Sequence, residues 1–179
     1  MIVEDVLKAI KAERYPVVLT ERRDHLKLLA EQLQPYVSNL IILKGGMGKK
    51  QRRLIQEQMA NVTDGEPRVI LSTGRYLGEG FDDARLDTLF LTHPISWKGT
   101  LAQYAGRLHR DHYQKKEVVI YDYLDENVPM LLRMYKKRRR GYYALGYDVE
   151  GYQSGQIQGE SPKEISKSSK GTQLKIKLT

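Results

Sequence analysis

The stretch Thr100–Asp111 reads TLAQYAGRLHRD and predicts an amphipathic helix with a distinctive polar face. At 100° per residue, Leu101, Ala105 and Leu108 lie on one side, which would pack against a sheet. Two guanidiniums directed at one point suit the spread negative charge of a phosphoryl group, and a glycine lets a ligand approach the backbone. A solvated helix with arginines on its exposed side has the same pattern, so this helix alone decides nothing. The residues of the polar face are Gln103, Gly106, Arg107 and Arg110.

Short apolar runs on both sides of this helix predict a parallel sheet. Helical periodicity fills most of the intervals between the runs, and a last helix begins near Asn127. Continuous apolar strands that alternate with helices are typical of a parallel sheet covered on both faces, so we expect a doubly wound α/β fold. In such sheets ligands bind at the carboxyl ends of the strands. The five predicted strands are Tyr15–Thr20, Asn39–Leu43, Arg68–Ser72, Thr88–Thr92 and Glu117–Asp122.

Composition narrows the class of protein. The 179 residues suit one domain with a tail, and the absence of cysteine excludes disulfides and thiolate metal sites. A cysteine-free chain also fits a reducing interior, so we expect a cytoplasmic protein. No run approaches the ~18 apolar residues of a membrane span. The formal net charge of +8 makes nucleic acid a candidate partner, although a basic surface alone would give the same charge.

A change of composition near residue 150 predicts a domain boundary. Residues 1–150 would form the folded domain, and residues 151–179 are rich in Ser, Gly and Lys, as in a polar linker or mobile tail. The final QLKIKL alternates polar and apolar residues like a short strand. This segment would pair with something outside the domain or form a frayed terminus, and the composition favours the frayed terminus.

The segment Leu43–Arg53, LKGGMGKKQRR, has the glycines and lysines of a phosphate-binding P-loop but not its pattern. The motif G-x-x-x-x-G-K-[ST] would need a glycine at position 43 and a hydroxyl at position 50, which are Leu43 and Lys50. Lysine cannot coordinate Mg²⁺, so we do not expect a P-loop here.

Two further segments carry a resemblance to a known family. TGRYLGEGFD (Thr73–Asp82), followed about twenty residues later by QYAGRLHR (Gln103–Arg110), resembles motifs V and VI of superfamily 2 DEAD/DEAH-type helicases, nearest to the branch of type III restriction subunits. The second matches Q-x-x-G-R-x-x-R at every defined position. Upstream, YPVVLTERRDHLKLLAEQL resembles motif IV, and Leu43–Arg53 occupies the place of motif IVa.

The resemblance covers roughly Val3 to Tyr147 and implies the second RecA-like domain of a motor. It implies a three-layer fold with a mostly parallel sheet of five to six strands and helices on both faces. Neither a P-loop nor a D-E-x-[DH] segment is found, so ATP and Mg²⁺ would be held mainly by a first RecA-like domain. This chain alone would be half a site, inactive by itself and without tight binding of ATP.

The resemblance also assigns roles to residues. Arg107 and Arg110 would be arginine fingers, and Gln103 would orient the γ-phosphate or the attacking water. Gly80, Asp82 and Gly106 would lie against the nucleotide. DNA or RNA would be the partner, gripped along its backbone. The residues expected to contact it are Thr20, Arg22, Lys44, Gly45, Gly46, Ser72, Thr73 and Arg75.

Two other functions remain open at this point. One is a stand-alone, non-catalytic module that binds nucleic acid with a motor-like fold. The other is a Rossmann-like enzyme acting on a small nucleotide, which is disfavoured because no glycine fingerprint follows the first strand. Among the histidines, His25, His93, His109 and His112 lack metal-ligand spacing, and His109 and His112 are expected at the surface.

Residues near the last predicted helix raise two more questions. VVIYDYLDEN resembles a D-E-x-[DH] segment, but we expect a strand that runs into a helix capped by Asp125 or Asn127. The helix carries a basic run with tyrosines beside it, which fits either a nucleic-acid contact or a solvated helix end. The cations are Arg133, Lys136, Lys137, Arg138, Arg139 and Arg140, and the tyrosines are Tyr135, Tyr142 and Tyr143.

Overall fold

The computed structural model describes residues 1–63, 65–74, 83–95, 100–113 and 115–150, together with the strand at 172–178. Five helices and seven strands lie within these ranges. The helices are α1 (Ile2–Lys11), α2 (Arg23–Leu33), α3 (Lys49–Asn61), α4 (Thr100–Leu108) and α5 (Pro129–Ala144). The strands are β1 (Pro16–Thr20), β2 (Asn39–Leu43), β3 (Arg68–Thr73), β4 (Thr88–Leu91), β5 (Val118–Leu124), β6 (Tyr147–Glu150) and β7 (Thr172–Leu178).

All seven strands belong to one sheet with the order β2-β3-β1-β4-β5-β7-β6. The first five are parallel to one another, and β7 runs antiparallel to both of its neighbours. Every residue of β1 and of β4 is buried, as expected for strands with helices on both sides. The predicted α/β class with a mostly parallel sheet is therefore confirmed. The sheet is wider than expected because β7 and β6 extend it through antiparallel pairings, with β7 alone running against the other six strands.

Two hydrophobic layers cover the sheet, one on each face. On one face α1 and α2 place Val6 and Leu33 against Phe90. On the other face α4 places Leu101 against Leu91 in a second core cluster. Alternate residues of the same strands face the two layers. The position of an apolar side chain along its strand therefore determines which helices it packs against.

Helix α3 lies shallowly on the second face. It contributes no fully buried residue, and only Ile55 and Met59 pack partly against the core. Leu54, next to Ile55, is 56% exposed. The first turn of α3 therefore depends little on core packing, and its basic side chains remain at the surface.

The terminal strand lies within the sheet. β7 fills the position between β5 and β6, with Tyr121 opposite Lys175 and Val149 opposite Ile176. This differs from the frayed terminus that composition favoured and from pairing outside the domain. The alternating sequence indicated a strand, but only the unpaired edges of β5 and β6 determine where it goes. The assignment of 151–171 as a linker stays a prediction.

The start of α5 also differs from expectation. The helix begins at Pro129 with Val128 at the N-cap, so neither Asp125 nor Asn127 caps it. Asp125 instead accepts a hydrogen bond from the backbone N–H of Asn127 (3.0 Å) in the turn before the helix. Proline is well suited to a first helical position because it has no N–H to satisfy there.

Helices capable of crossing a bilayer, judged by length and apolarity, are absent from the part of the chain that the structure describes.

Candidate functional site

The carboxyl ends of the parallel strands bring the predicted nucleic-acid residues to one edge of the sheet. The backbone N–H of Gly45, just after β2, donates to Thr73 Oγ1 at the end of β3 (3.3 Å). Thr92, just after β4, donates its hydroxyl to the carbonyl of Leu19 in β1 (2.6 Å). Residues far apart in sequence therefore meet at this edge, as the parallel arrangement predicted.

The turn after β1 presents one cation to solvent. Thr20 is buried, and its Oγ1 lies 3.0 Å from His25 Nδ1 and accepts from the N–H of Arg22 (3.4 Å). Arg22 is exposed and precedes α2 with extended backbone angles. Of the two residues predicted here, Arg22 can reach a phosphate with its side chain, whereas the Thr20 hydroxyl shapes the turn.

A groove of about 710 Å³ lies between α2 and the turn that follows β2. Gly46 forms the turn with a positive φ of 85°, a conformation that glycine adopts without strain. Lys44 is exposed on one wall, and α2 contributes Arg23 and Lys27 on the other. Sequence reasoning missed the two α2 cations, although their spacing of four residues on a predicted helix was a usable signal.

The end of β3 separates two residues that were predicted together. Ser72 is fully buried, and its hydroxyl donates to the carbonyl of Thr73 (3.0 Å). Thr73 is half-buried and faces the β2 turn through its bond to Gly45. The remaining predicted residues of this loop, Arg75, Gly80 and Asp82, lie outside the described residues.

Helix α4 has the two faces that its sequence predicted. Leu101, Tyr104, Ala105 and Leu108 are buried, whereas Gln103 and Gly106 are exposed and Arg107 is half-buried. The helix ends at Leu108, so Arg110 lies in the segment that follows it and is exposed there. A Cβ built on Gly106 meets no atom within 4 Å among the described residues. Packing inside the described domain therefore does not require a glycine at 106, and the space beside it is open to a ligand or a second domain.

A contact that sequence reasoning did not find joins α4 to the end of β3. A Cβ added to Gly74 would lie 2.5 Å from the Tyr104 hydroxyl oxygen and 3.9 Å from Glu21 Oε1. Burial, with a smaller contribution from the Glu21 charge, raises the pKa of Tyr104, so the phenol stays protonated. Glycine at position 74 lets the tyrosine of α4 pack directly on the strand end. The sequence around Gly74 and Tyr104 contains no pattern of polar residues that would have predicted this contact.

His93 is a buried histidine at the same edge. Its Nδ1 lies 3.2 Å from the carbonyl of Leu19, which can only accept, so Nδ1 carries the proton. Its Nε2 is 3.5 Å from Glu21 Oε1. Burial lowers the pKa of His93, against opposing contributions from the Leu19 hydrogen bond and from Glu21. The ring therefore serves as a neutral link between β1 and β4.

Comparison with solved structures shows which known fold this domain shares. The crystal structure of the C-terminal part of the Fun30 ATPase domain superposes with a TM-score of 0.62 at 18% identity, covering 75% of this chain and 43% of that one. The crystal structure of T4 UvsW gives 0.56 at 16% identity, covering 80% and 31%. This chain has the fold of a C-terminal RecA-like helicase domain. It spans less than half the length of either structure.

Sequence comparison adds one relative of the RecA-like domain. The uncharacterized protein 108L of Invertebrate iridescent virus 3 is 29% identical over 106 residues, which are 59% of this chain and 95% of the viral protein. No family model matches the sequence.

The last helix of the RecA-like domain is anchored by a buried ion pair. Arg138 binds Asp122 of β5 in a bidentate arrangement, Nε to Oδ2 at 2.7 Å and Nη2 to Oδ1 at 2.9 Å. The Tyr142 hydroxyl donates to the same carboxylate (2.9 Å). Arg138 is 1% exposed, and Tyr135 and Tyr142 are fully buried. Arg138, Tyr135 and Tyr142 are therefore not available to bind nucleic acid. The nucleic-acid contact considered for this helix was wrong in including them.

The same C-terminal elements contact both ends of α4. Arg138 Nη1 donates to the carbonyl of Ile95, before α4 (3.0 Å). His109, directly after α4, approaches the Tyr147 hydroxyl of β6 to 2.5 Å through Nε2. The ring of His109 is exposed, as predicted, but its Nε2 is used internally. The segment that follows β5 thus bonds to Ile95 before α4 and to His109 directly after it.

Proposed function

We propose that the chain is the second motor domain of an ATP-dependent nucleic-acid helicase or translocase. The observation that carries this proposal is the outer face of α4, where Gln103, Gly106 and Arg107 lie opposite the buried side, with exposed Arg110 just beyond the end of the helix. In a RecA-like fold such a helix faces the γ-phosphate of a nucleotide bound by a neighbouring domain. Guanidiniums are suited to this place because they keep their charge and bind phosphate oxygens in pairs.

The groups on α4 fit a phosphate better than a metal. They are an amide, a bare backbone segment and two guanidiniums, whereas Mg²⁺ takes oxygen ligands. ATP and Mg²⁺ would therefore be held mainly by a first RecA-like domain, and Arg107 and Arg110 would neutralise charge that develops on the γ-phosphate. Gln103 would orient that phosphate or the attacking water, and Gly80 and Asp82 would contact the nucleotide from the loop after β3.

The carboxyl edge of the sheet would grip the nucleic-acid backbone. Arg22 and Lys44 supply charge, and Gly45 and Gly46 form the turn after β2, where Gly46 is exposed. The buried hydroxyls of Thr20 and Ser72 would support the strand ends rather than touch a phosphate. The other predicted contacts are Thr73 and Arg75. Closing of the cleft between the two domains would couple ATP hydrolysis to stepping along the bound nucleic-acid strand.

The test is the Arg110→Ala variant of the intact protein that contains this domain. Stimulated ATP hydrolysis is expected to fall by about 10³-fold or more, because an arginine finger contributes that much to the rate. Arg53→Ala is the matched control, since Arg53 is an exposed arginine on α3 whose ion-pair partner among the described residues is Glu57 (2.8 Å). The thermal midpoint should change little in either variant. Near-normal turnover of Arg110→Ala would overturn the assignment.

A second candidate is a stand-alone module that binds nucleic acid without catalysis. The viral relative favours it, since the 106 matched residues make up 95% of that protein, which therefore consists of little more than the matched region. The full native gene product distinguishes the two functions. ATP hydrolysis stimulated by nucleic acid would support the motor, whereas tight oligonucleotide binding without hydrolysis would support the module.

A further inference from the structure

Helix α5 differs from the other surface helices in its charge. Its 16 residues include six cations and no carboxylate. In α1 and α2 surface cations pair with acids one turn away, as in Lys8 with Asp5 (3.4 Å) and Lys27 with Glu31 (3.8 Å). With six cations and no acid, α5 has the highest net charge of the described helices.

The inner and outer faces of α5 use these cations differently. Arg138 is turned inward and neutralised by Asp122, as described above, and Arg139 lies half-buried over the ring of Tyr143 (5.9 Å). The other four are exposed and form one stripe, because their spacing of three, four and seven residues repeats on one side of a helix. The stripe extends about 10 Å along the axis at 1.5 Å per residue. The four residues of this basic stripe are Arg133, Lys136, Lys137 and Arg140.

We propose that the basic stripe of α5 binds the phosphate backbone of nucleic acid, as a contact separate from the groove beside α2. The proposal deepens the proposed function and rests on it. No carboxylate of the described residues pairs with the four cations, so an anion from outside would relieve their mutual repulsion. Tyr143, 53% exposed at the end of the stripe, offers a ring for stacking.

A nucleic acid fits this surface better than a lipid bilayer does. A helix that lies in a membrane interface needs a continuous apolar face beside its charges. The apolar side of α5 is already used, since Tyr135 and Tyr142 are fully buried in the domain. Among the described residues on its outer side, Met130 is the large aliphatic side chain that is more than half exposed.

The position of α5 would connect this contact to the nucleotide side of the domain. Arg138, on the inner face of α5, holds the backbone before α4, and the strand that follows α5 holds His109 after α4. A backbone bound on the stripe would therefore act on residues that flank α4, the helix that carries Arg107 and precedes Arg110.

The salt dependence of binding tests the proposal directly. Binding of a fluorescent DNA duplex to the full chain is measured by anisotropy over a series of sodium chloride concentrations. For Arg133→Gln/Lys137→Gln, the slope of log K against log salt is expected to become shallower by about 1.8, since each phosphate contact contributes about 0.9. Lys11→Gln/Lys116→Gln is the control, because it removes the same charge from exposed positions elsewhere. Equal slopes for the two double variants would overturn the proposal.

A groove variant separates this proposal from the function on which it rests. If Arg23→Gln/Lys44→Gln weakens duplex binding while the stripe variant binds like the wild type, the stripe is not a contact and the motor assignment stands. If the stripe variant has the shallower slope, the contact is supported whatever the Arg110→Ala assay gives. Binding of the wild type to anionic lipid vesicles and not to the duplex would also overturn it. Circular dichroism checks that each variant keeps its helices.

Discussion

At the residue scale, the close contact between Gly74 and Tyr104 depends on the Cβ atom that glycine lacks. A Cβ at position 74 would lie 2.5 Å from the Tyr104 hydroxyl oxygen, closer than packed atoms approach. The absence of a Cβ at the end of β3 therefore leaves room for the Tyr104 hydroxyl.

Gly74→Ala is expected to destabilise the chain by about 1–3 kcal/mol, as overpacking of a closely packed contact does. Tyr104→Phe removes the clashing hydroxyl, and the ring carbon behind it would lie at 3.5 Å, an ordinary contact. The double variant should therefore be more stable than Gly74→Ala alone. Urea denaturation of the two single variants and the double variant measures this coupling. Simple additivity of the two effects would show that the hydroxyl is not the obstacle.

At the element scale, a buried ion pair links β5 to α5, the helix that follows it. Asp122 accepts three hydrogen bonds, two from Arg138 and one from Tyr142. Burial, together with the charge of Asp122, raises the pKa of Tyr142 well above its usual value, so its hydroxyl remains a donor. The carboxylate thus fixes both the rotation and the position of α5 along the strand.

Asp122→Asn is expected to lower the free energy of unfolding by about 3–5 kcal/mol, because it leaves the buried charge of Arg138 without a counter-charge. Asp125→Asn is the matched control on the exposed turn after β5, where a surface substitution changes stability by roughly 0.5 kcal/mol or less. Denaturant unfolding monitored by circular dichroism gives both values. A loss for Asp122→Asn no larger than that of the control would mean that the pair contributes little.

The same helix shows what local sequence patterns can and cannot predict. Periodicity placed the helix, and composition showed its cations. The inward turn of Arg138 depends on Asp122, which lies 16 residues earlier on a strand and becomes its partner only when the two elements pack. The alternating pattern at 172–178 likewise indicated a strand, but its place follows from the edges that β5 and β6 leave unpaired.

At the scale of the whole molecule, the parallel sheet explains why much of the candidate site was predictable. The carboxyl ends of β1, β2 and β3 share an edge in any such fold, so Arg22, Lys44 and Thr73 could be grouped before their distances were known. His93 and Tyr104 could not be assigned to this edge from the sequence, because each lies there through burial against residues from other elements. The groove beside α2 was missed for the same reason, since its two walls come from separate elements.

Buried histidine makes the stability of the domain depend on pH. The folded-state pKa of His93 lies below its ordinary value of 6.5, mainly because of burial, with Arg138 lowering it further and Glu21 and Asp122 opposing. The unfolded chain therefore binds a proton first as pH falls, and stability is lost below about pH 6.5. The pKa values of His25 and His109 are lowered as well, also mainly by burial.

We expect the thermal midpoint to fall on acidification from neutral pH, and His93→Gln to make this decrease smaller. A glutamine amide can still donate to the carbonyl of Leu19 but does not titrate. Thermal unfolding of both proteins across this pH range checks the expectation. An unchanged pH dependence in His93→Gln would assign the effect to other groups.

The place of β7 between two strands that precede it has a consequence for synthesis. While the ribosome translates residues 151–178, β5 has one open edge and β6 has no partner on either side. At typical elongation rates this interval lasts on the order of a few seconds. Open edges readily accept foreign strands, so a nascent chain at this stage is a substrate for chaperones and for misassembly with its neighbours on a polysome. Arrival of the final strand ends that exposure.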